Sequence, residues 1–242
     1  MLLPSRRGLQ PLKLALTVAA YLSLAALLYC SFGPHIVLPR YGSPAAESSQ
    51  PHPPQAKGHL VPLEAHIMSK CPDAKDCLRD LVLPAMQKVH EKVNFTLSFI
   101  GKPTENDGVA CMHGPGECLG NIIELCAQLL YPDPKTFLGF TMCLTRDYQE
   151  IPQRELIEDC ALEHAIDFDR LNECATKDNS AFGVKLLRES VRRTAEAGVT
   201  KSCTVRLDDQ VYCIRDGGKW TDCPHGPGVN DLVVAISKLY SA

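Results

Sequence analysis

The sequence predicts an α/β domain with a helical, disulfide-rich insertion, preceded by one N-terminal transmembrane helix. Three features predict it. An uncharged, mostly apolar run fills Leu14–Phe32, and twelve cysteines stand in a 242-residue chain. Beyond residue 59, a strand–helix–strand pattern leads into a long helical stretch, then into short strands and a last helix.

Residues 1–13 form a short cytosolic tail with Arg6, Arg7 and Lys13 and no acid; the first acidic residue is Glu47. The apolar run 14–32, as a helix rising about 1.5 Å per residue, spans roughly 28 Å, close to the hydrocarbon thickness of a bilayer. Its basic flank comes first, which keeps the N-terminus cytosolic and places the rest of the chain in the lumen. This is the pattern of a single-pass type II signal anchor of the secretory pathway, in the ER, Golgi or vacuole/lysosome. A cleaved signal peptide would instead give a secreted domain. Ser31 and Gly33 have the small-x-small spacing, but Pro34 follows and disfavours cleavage there. Either route delivers the cysteines to an oxidising compartment, so bridges account for them better than metal, and no cofactor is expected. The net charge of −3 offers no basic face for nucleic acid.

Residues 33–58 hold Pro34, Pro39, Pro44, Pro51, Pro53 and Pro54 among Ser, Gln and Gly. Such a segment cannot bury a core and reads as an extended stalk. The luminal domain is therefore 59–242. Leu60–Met68 reads as a strand. Pro72–Glu91 reads as a helix with Leu78, Leu81, Val82, Ala85 and Val89 on one face and a kink at Pro84. Val93, Phe95, Leu97 and Phe99 alternate as in a strand. Residues 101–118 are turn-rich, and 119–197 are mostly helical. Ser202–Leu207 and Val211–Arg215 flank a hairpin turn at Asp208-Asp209, and Val229–Tyr240 is apolar at helical spacing. A thioredoxin fold has this order, with the insertion between its two halves.

Cys71 stands where the first strand hands over to the first helix, with Pro72 in the first helical position. A thiol there meets unpaired backbone N–H groups and the positive end of the helix dipole, both of which favour the thiolate that attacks disulfides. Lys70 and Lys75 would add to this and Asp73 would oppose it. The usual partner position in a Cys-x-x-Cys pair is Ala74, and the next cysteine is Cys77. In regular helix Cys71 and Cys77 lie about 9 Å apart along the axis, beyond bridging distance unless the first turn unwinds. Three readings stay open: a redox pair Cys71/Cys77, a single working thiol at Cys71 with Cys77 bridged elsewhere, or two structural cysteines. With Cys30 inside the apolar run, a free Cys71 leaves ten luminal cysteines, enough for five bridges.

The segment Cys111-Met112-His113-Gly114-Pro115-Gly116-Glu117-Cys118 resembles the signature Cys-Gln-His-Gly-x-x-x-Cys of the gamma-interferon-inducible lysosomal thiol reductase family, and Glu117 matches its frequent Glu. Cys126, Cys143, Cys160 and Cys174 fall in the family's order. Asn94-Phe-Thr-Leu is similar to its Asn-x-Thr-Leu strand, which makes Asn94 a glycosylation acceptor. Counting back from Pro84, Cys71 falls on the family's first active-site cysteine. The resemblance, over about residues 61–240, implies a thioredoxin-like thiol reductase of a secretory or endolysosomal lumen. It would reduce or exchange disulfides in substrate proteins, with Cys71 and Cys77 as catalytic candidates. Cys126, Cys143, Cys160, Cys174, Cys203, Cys213 and Cys223 are candidates for structural bridges. Two departures stand out. Ala74 replaces the second active-site cysteine, and the family's cis proline before the penultimate strand has no counterpart near Cys203. A catalytically inactive protein-binding module of the same family is the alternative. His113 is a candidate acid–base residue, against a simple turn hydrogen bond. The pattern Cys223-Pro-His-Gly-Pro-Gly228 echoes Cys111–Gly116 and reads as a second bridged turn.

Overall fold

The computed structural model describes residues 59–241, so the expected tail, anchor and stalk lie outside the described residues. No helix among the described residues is long and apolar enough to cross a membrane. β1 (Val61–Ile67) buries Leu63, Ala65 and Ile67 on one face, the period of two expected of a strand. A helix starts at once: α1 (Pro72–Cys77), a π-helical stretch (Leu78–Val82) and α2 (Leu83–Val89) follow without a break in αR conformation. Pro84 lacks the N–H that would bond four residues back, and the wider π turn ahead of it takes up the mismatch where a kink was expected. Leu78, Leu81, Val82, Ala85 and Val89 are buried, as their spacing predicted.

β2 (Val93–Phe99) pairs in parallel with β1, from Val61 opposite Val93 to Ile67 opposite Phe99. Parallel neighbours need a helical crossover, which the helix from Pro72 to Val89 supplies. β3 (Lys102–Pro103) and β4 (Val109–Ala110) make a small separate ladder. The insertion follows: α3 (Pro115–Leu130), α4 (Pro134–Arg146), α5 (Arg154–Glu163) and α6 (Phe168–Thr176), then α7 (Ala181–Glu196). Asp133 and Asp167 cap α4 and α6 through their side chains, so these breaks are set by ordinary N-cap chemistry. The chain returns as β5 (Thr204–Leu207), β6 (Gln210–Asp216), β7 (Lys219–Thr221) and α8 (Val229–Tyr240).

The main sheet has the order β2-β1-β5-β6-β7, with β5, β6 and β7 antiparallel to their neighbours. The expected hairpin turn sits at Asp208 and Asp209, both in left-handed conformation, with a bulge between Val205 and Arg206. β7, β3 and β4 are additions to the expected order. On the sheet face opposite Leu63 and Ile67, His66 is buried and its Nδ1 lies 3.0 Å from Thr194 Oγ1 of α7. Burial lowers the His66 pKa, against the opposing hydrogen bond that its Nε2 makes to the Glu64 carboxylate.

Five bridges join ten of the described cysteines: Cys77–Cys203, Cys111–Cys118, Cys126–Cys174, Cys143–Cys160 and Cys213–Cys223. Cys71 is the one free cysteine among the described residues. Cys77 is thus tied to Cys203 and not to Cys71, because it faces into the core six residues along the helix while Cys71 stays at its mouth.

Candidate active site

The turn from β1 into α1 is held from two sides before Cys71 is reached. Met68 N donates to Ser202 Oγ at 2.9 Å, Ser69 N donates to Asn121 Oδ1 at 3.1 Å, and Ser69 Oγ donates to the Glu117 carbonyl at 3.3 Å. Ser69 and Asn121 are fully buried, so these bonds are shielded from competing water. Cys71 N closes the turn on Met68 O at 3.1 Å. The residue itself is extended (φ −99°, ψ 128°), and its carbonyl accepts from Ala74 N and Lys75 N, which makes it the N-cap.

The thiol is half-buried and lies 3.8 Å from the Ser202 carbonyl oxygen. It leans on a small apolar cluster, Met68, Ile100 and Val199, that is separate from the main core. A cavity of about 610 Å³ opens over the same three residues and is also lined by Cys111 and by Met112, a residue 75% exposed. The Ser202–Cys203 peptide bond is cis, at the place where the sequence lacks the family's proline.

The charges expected beside the thiol are committed elsewhere. Lys70 Nζ donates to the Gln149 carbonyl at 2.8 Å and also to the Ile151 carbonyl. Lys75 Nζ lies 5.5 Å from the centre of the Tyr148 ring. Asp73 accepts from Gly217 N and Gly218 N, each at 2.8 Å, and so fixes the β6–β7 turn against the start of α1. Arg215 reaches Asp76 at 3.4 Å and the Trp220 face at 5.2 Å.

The signature segment forms the adjoining wall. Cys111–Cys118 closes a loop across Gly114, whose φ of 83° suits glycine. Glu117 is fully buried, accepts from His113 N at 3.2 Å and pairs with His113 Nδ1. Asn121 Nδ2 lies 3.8 Å from Cys111 Sγ, so one side chain touches both the signature bridge and the turn before Cys71. Of the sequence-derived candidates, the structure brings Cys71 to the Ser202 carbonyl, sets Glu117 directly and Cys111 through Asn121 against the turn that carries it, and holds His113 on Glu117, Cys118 on Cys111 and Gly114 at the start of α3. Cys126–Cys174 and Cys143–Cys160 lie within the insertion, and Cys213–Cys223 ties β6 to the last loop. Asn94 is exposed on the edge strand β2. Ser69, Asn121 and Ser202 were not singled out in the sequence. Only Ser202 had a signal, as the neighbour of the missing proline.

The profile of the family described as gamma interferon inducible lysosomal thiol reductase (GILT) matches residues 62–164. A curated relative, GILT-like protein 1 from Drosophila melanogaster, is 29% identical, over 62% of this chain and 66% of that one. The match therefore spans just under two thirds of that relative's length. Among solved structures, the thiol-disulfide exchange protein alpha-DsbA2 from Wolbachia pipientis superposes with a TM-score of 0.50 at 16% identity, covering 91% of this chain and 98% of that one. BdbD from Bacillus subtilis gives 0.48 at 17%, covering 75% and 88%. The alpha-DsbA2 likeness fits the thioredoxin-type sheet with a helical insertion seen here. The profile covers the strand, the turn at Cys71 and the signature loop, and over that stretch the chain is similar to the gamma interferon inducible lysosomal thiol reductase family.

Proposed function

We propose that this protein is a thiol–disulfide oxidoreductase in which Cys71 thiolate attacks a disulfide of a substrate protein, in a lumen of the secretory or endolysosomal pathway, with residues 14–32 as its membrane anchor. The observation that carries this reading is the state of Cys71. It is the one unbridged cysteine among the described residues, it is partly accessible, and it caps the first helix while packing on Met68, Ile100 and Val199, which line an open cavity. Attack by Cys71 forms a mixed disulfide and releases one substrate thiol. The apolar walls of the cavity suit the side chains that flank a cysteine in a loosened polypeptide. Neither metal nor organic cofactor enters the chemistry. Asn94, with Thr96 two residues on, is the proposed glycan site.

The test is reduction of a disulfide-bonded protein by the full chain supplied with a monothiol. Cys71→Ser is expected to lower the rate to that of the monothiol alone. A Cys71→Ser variant as fast as the native chain would end the assignment. One observation favours the second reading, a non-catalytic binding module: Ala74, fully buried, stands where the second cysteine of the pair would be. That reading predicts binding of partner proteins that Cys71→Ser leaves unchanged, together with no reduction by either form.

A further inference from the structure

We infer that Cys77 and Cys203 are the electron-storing pair of this domain, set one helical turn below the usual position, and that Cys203 passes the exchange between Cys71 and Cys77. This rests on Cys71 being the attacking thiol. Ala74 and Cys77 are three residues apart and share one face of the helix, and both are fully buried. The thiol missing at the first turn is therefore present at the next. It meets a cysteine on the strand side: Cys77 and Cys203 are bonded with Cα atoms 6.2 Å apart. Cys203 directly follows Ser202, the residue whose carbonyl lies 3.8 Å from Cys71 Sγ. One two-residue step thus touches Cys71 with its first member and Cys77 with its second.

Burial sets the direction of traffic. Cys77 and Cys203 are both 0% exposed, so no substrate or reductant reaches either sulfur from solvent. Cys71 is the sulfur at the boundary. Cys71 and Cys77 stand about 9 Å apart along the helix, too far to bond directly, so a carrier is required between them. Cys203, bonded to Cys77 and one residue past the Ser202 carbonyl that lies 3.8 Å from Cys71 Sγ, is the residue placed to serve as that carrier.

In the reduced protein all three are thiols. Cys71 thiolate attacks the substrate disulfide, a Cys71–substrate bond forms, and one substrate thiolate leaves. Cys203 thiolate attacks Cys71 Sγ, the Cys71–Cys203 bond forms, and the second substrate thiolate leaves. Cys77 thiolate then attacks Cys203 Sγ, the Cys77–Cys203 bond forms, and Cys71 leaves as thiolate. The substrate disulfide has gained two electrons and, on protonation, becomes two thiols. Cys77 and Cys203 have lost two electrons and two protons. The state in the structure, with Cys71 free and Cys77–Cys203 bonded, is the oxidised end of this sequence. A small monothiol returns it. Cys71 attacks Cys203 Sγ and frees Cys77, one monothiol attacks Cys71 Sγ and frees Cys203, and a second attacks the sulfur of the first, so that a symmetrical disulfide forms and Cys71 leaves as thiolate.

The test follows the three sulfurs through one turnover of the full native chain. The protein is reduced with dithiothreitol, desalted, mixed with one equivalent of a disulfide-bonded model protein, quenched in acid and alkylated for peptide mass mapping. Cys77 and Cys203 are expected to lose label in step with substrate reduction, while Cys71 keeps it. A persistent Cys71–substrate adduct with Cys77 and Cys203 still labelled overturns the relay and leaves the single-thiol enzyme standing. Failure of dithiothreitol to open Cys77–Cys203 without unfolding the domain also overturns it. Full label on all three with no substrate reduced ends the Cys71 assignment itself. Cys203→Ser is expected to trap the Cys71–substrate adduct and slow release of the second thiol by about 100-fold or more, the loss of an intramolecular nucleophile. Cys77→Ser is expected to stop at a Cys71–Cys203 bridge. The native-chain experiment decides the matter even if both variants fold poorly.

Discussion

Cys111–Gly116 and Cys223–Gly228 share the pattern Cys-x-His-Gly-Pro-Gly, yet each begins its helix at a different glycine. In the first, Gly114 is the N-cap and Pro115 opens α3; in the second, the helix waits until Gly228 and opens at Val229. The acid that follows accounts for the choice. Glu117 stands three residues beyond Gly114 and reaches back to His113 N, and Asp231 stands three beyond Gly228 and accepts from Gly228 N at 3.1 Å. The two histidines part company as a result. His113 is left against a buried carboxylate, whereas His225 lies over Tyr212 with ring centres 6.1 Å apart. The helices differ as well: α3 buries Glu117, Asn121 and Glu124, and α8 buries Leu232 and Ile236. The shared pattern makes a turn. What the turn does is set by the residue that caps the helix and by what the helix lies against.

Glu117→Ala is the hardest blow to this contrast. It leaves His113 N–H and the exposed His113 ring without their acceptor, and is expected to cost about 2 kcal/mol in denaturant unfolding. It also loosens the turn before Cys71, so disulfide reduction is expected to fall at temperatures where the fold persists. A loss below about 1 kcal/mol would show that the two loops are equivalent after all.

Glu124→Gln separates the helices by pH. Glu124 is fully buried, and burial, helped by the neighbouring Glu117 charge and opposed by the Thr141 hydroxyl, pushes its pKa well above the ordinary carboxyl value. The folded state keeps a proton that the unfolded chain gives up. The associated stability is complete below the ordinary pKa and is lost as pH rises through the raised one. The variant should therefore gain Tm relative to the native chain as pH rises from 4 to 8. A difference in Tm that stays flat with pH would show that Glu124 is not held protonated.

Tyr212→Phe probes the second loop, where the hydroxyl donates to the Gly226 carbonyl at 3.0 Å. The expected cost is about 1 kcal/mol. Burial, helped by the Asp231 carboxylate, raises the Tyr212 pKa from 10.0 to about 12. Stability is present below pH 10 and falls as pH climbs toward 12, a slope the Phe variant should lack. The smallest effect is expected at Asp231→Ala, about 0.5 kcal/mol, because this cap is exposed. A cost matching that of Glu117→Ala would erase the contrast.

Much of this architecture was legible because it is written in local periodicity. Leu63 alternating into Ala65 and Ile67, Pro72 at a helix start, and the Val93–Phe99 alternation each depend on residues within one element. The expected strand at Ser202 starts two residues late, at Thr204, because the Ser202 carbonyl faces Cys71, although Cys203 already exchanges backbone hydrogen bonds with Arg215. β7 is three residues long and carries no period to read. The Cys77–Cys203 bond joins positions 126 residues apart, and no local pattern encodes such a pairing. The charges around Cys71 misled for the same reason. Lys70 and Asp73 sit next to it in sequence, but their partners, Gln149 and Gly217, come from the insertion and the far hairpin.

Among the described residues, each bridge closes within one half of the domain. Cys77–Cys203 and Cys213–Cys223 belong to the sheet half, and the other three to the segment 111–174. Among the described residues the halves meet covalently only along the main chain, at the exposed loop 104–107 and near Thr200–Lys201. Nicking both connectors would leave three pieces, the middle one sharing no sulfur bond with the other two. The flanking pieces would remain coupled through Cys77 and Cys203, and the helical fragment would leave in denaturant even with every cystine intact.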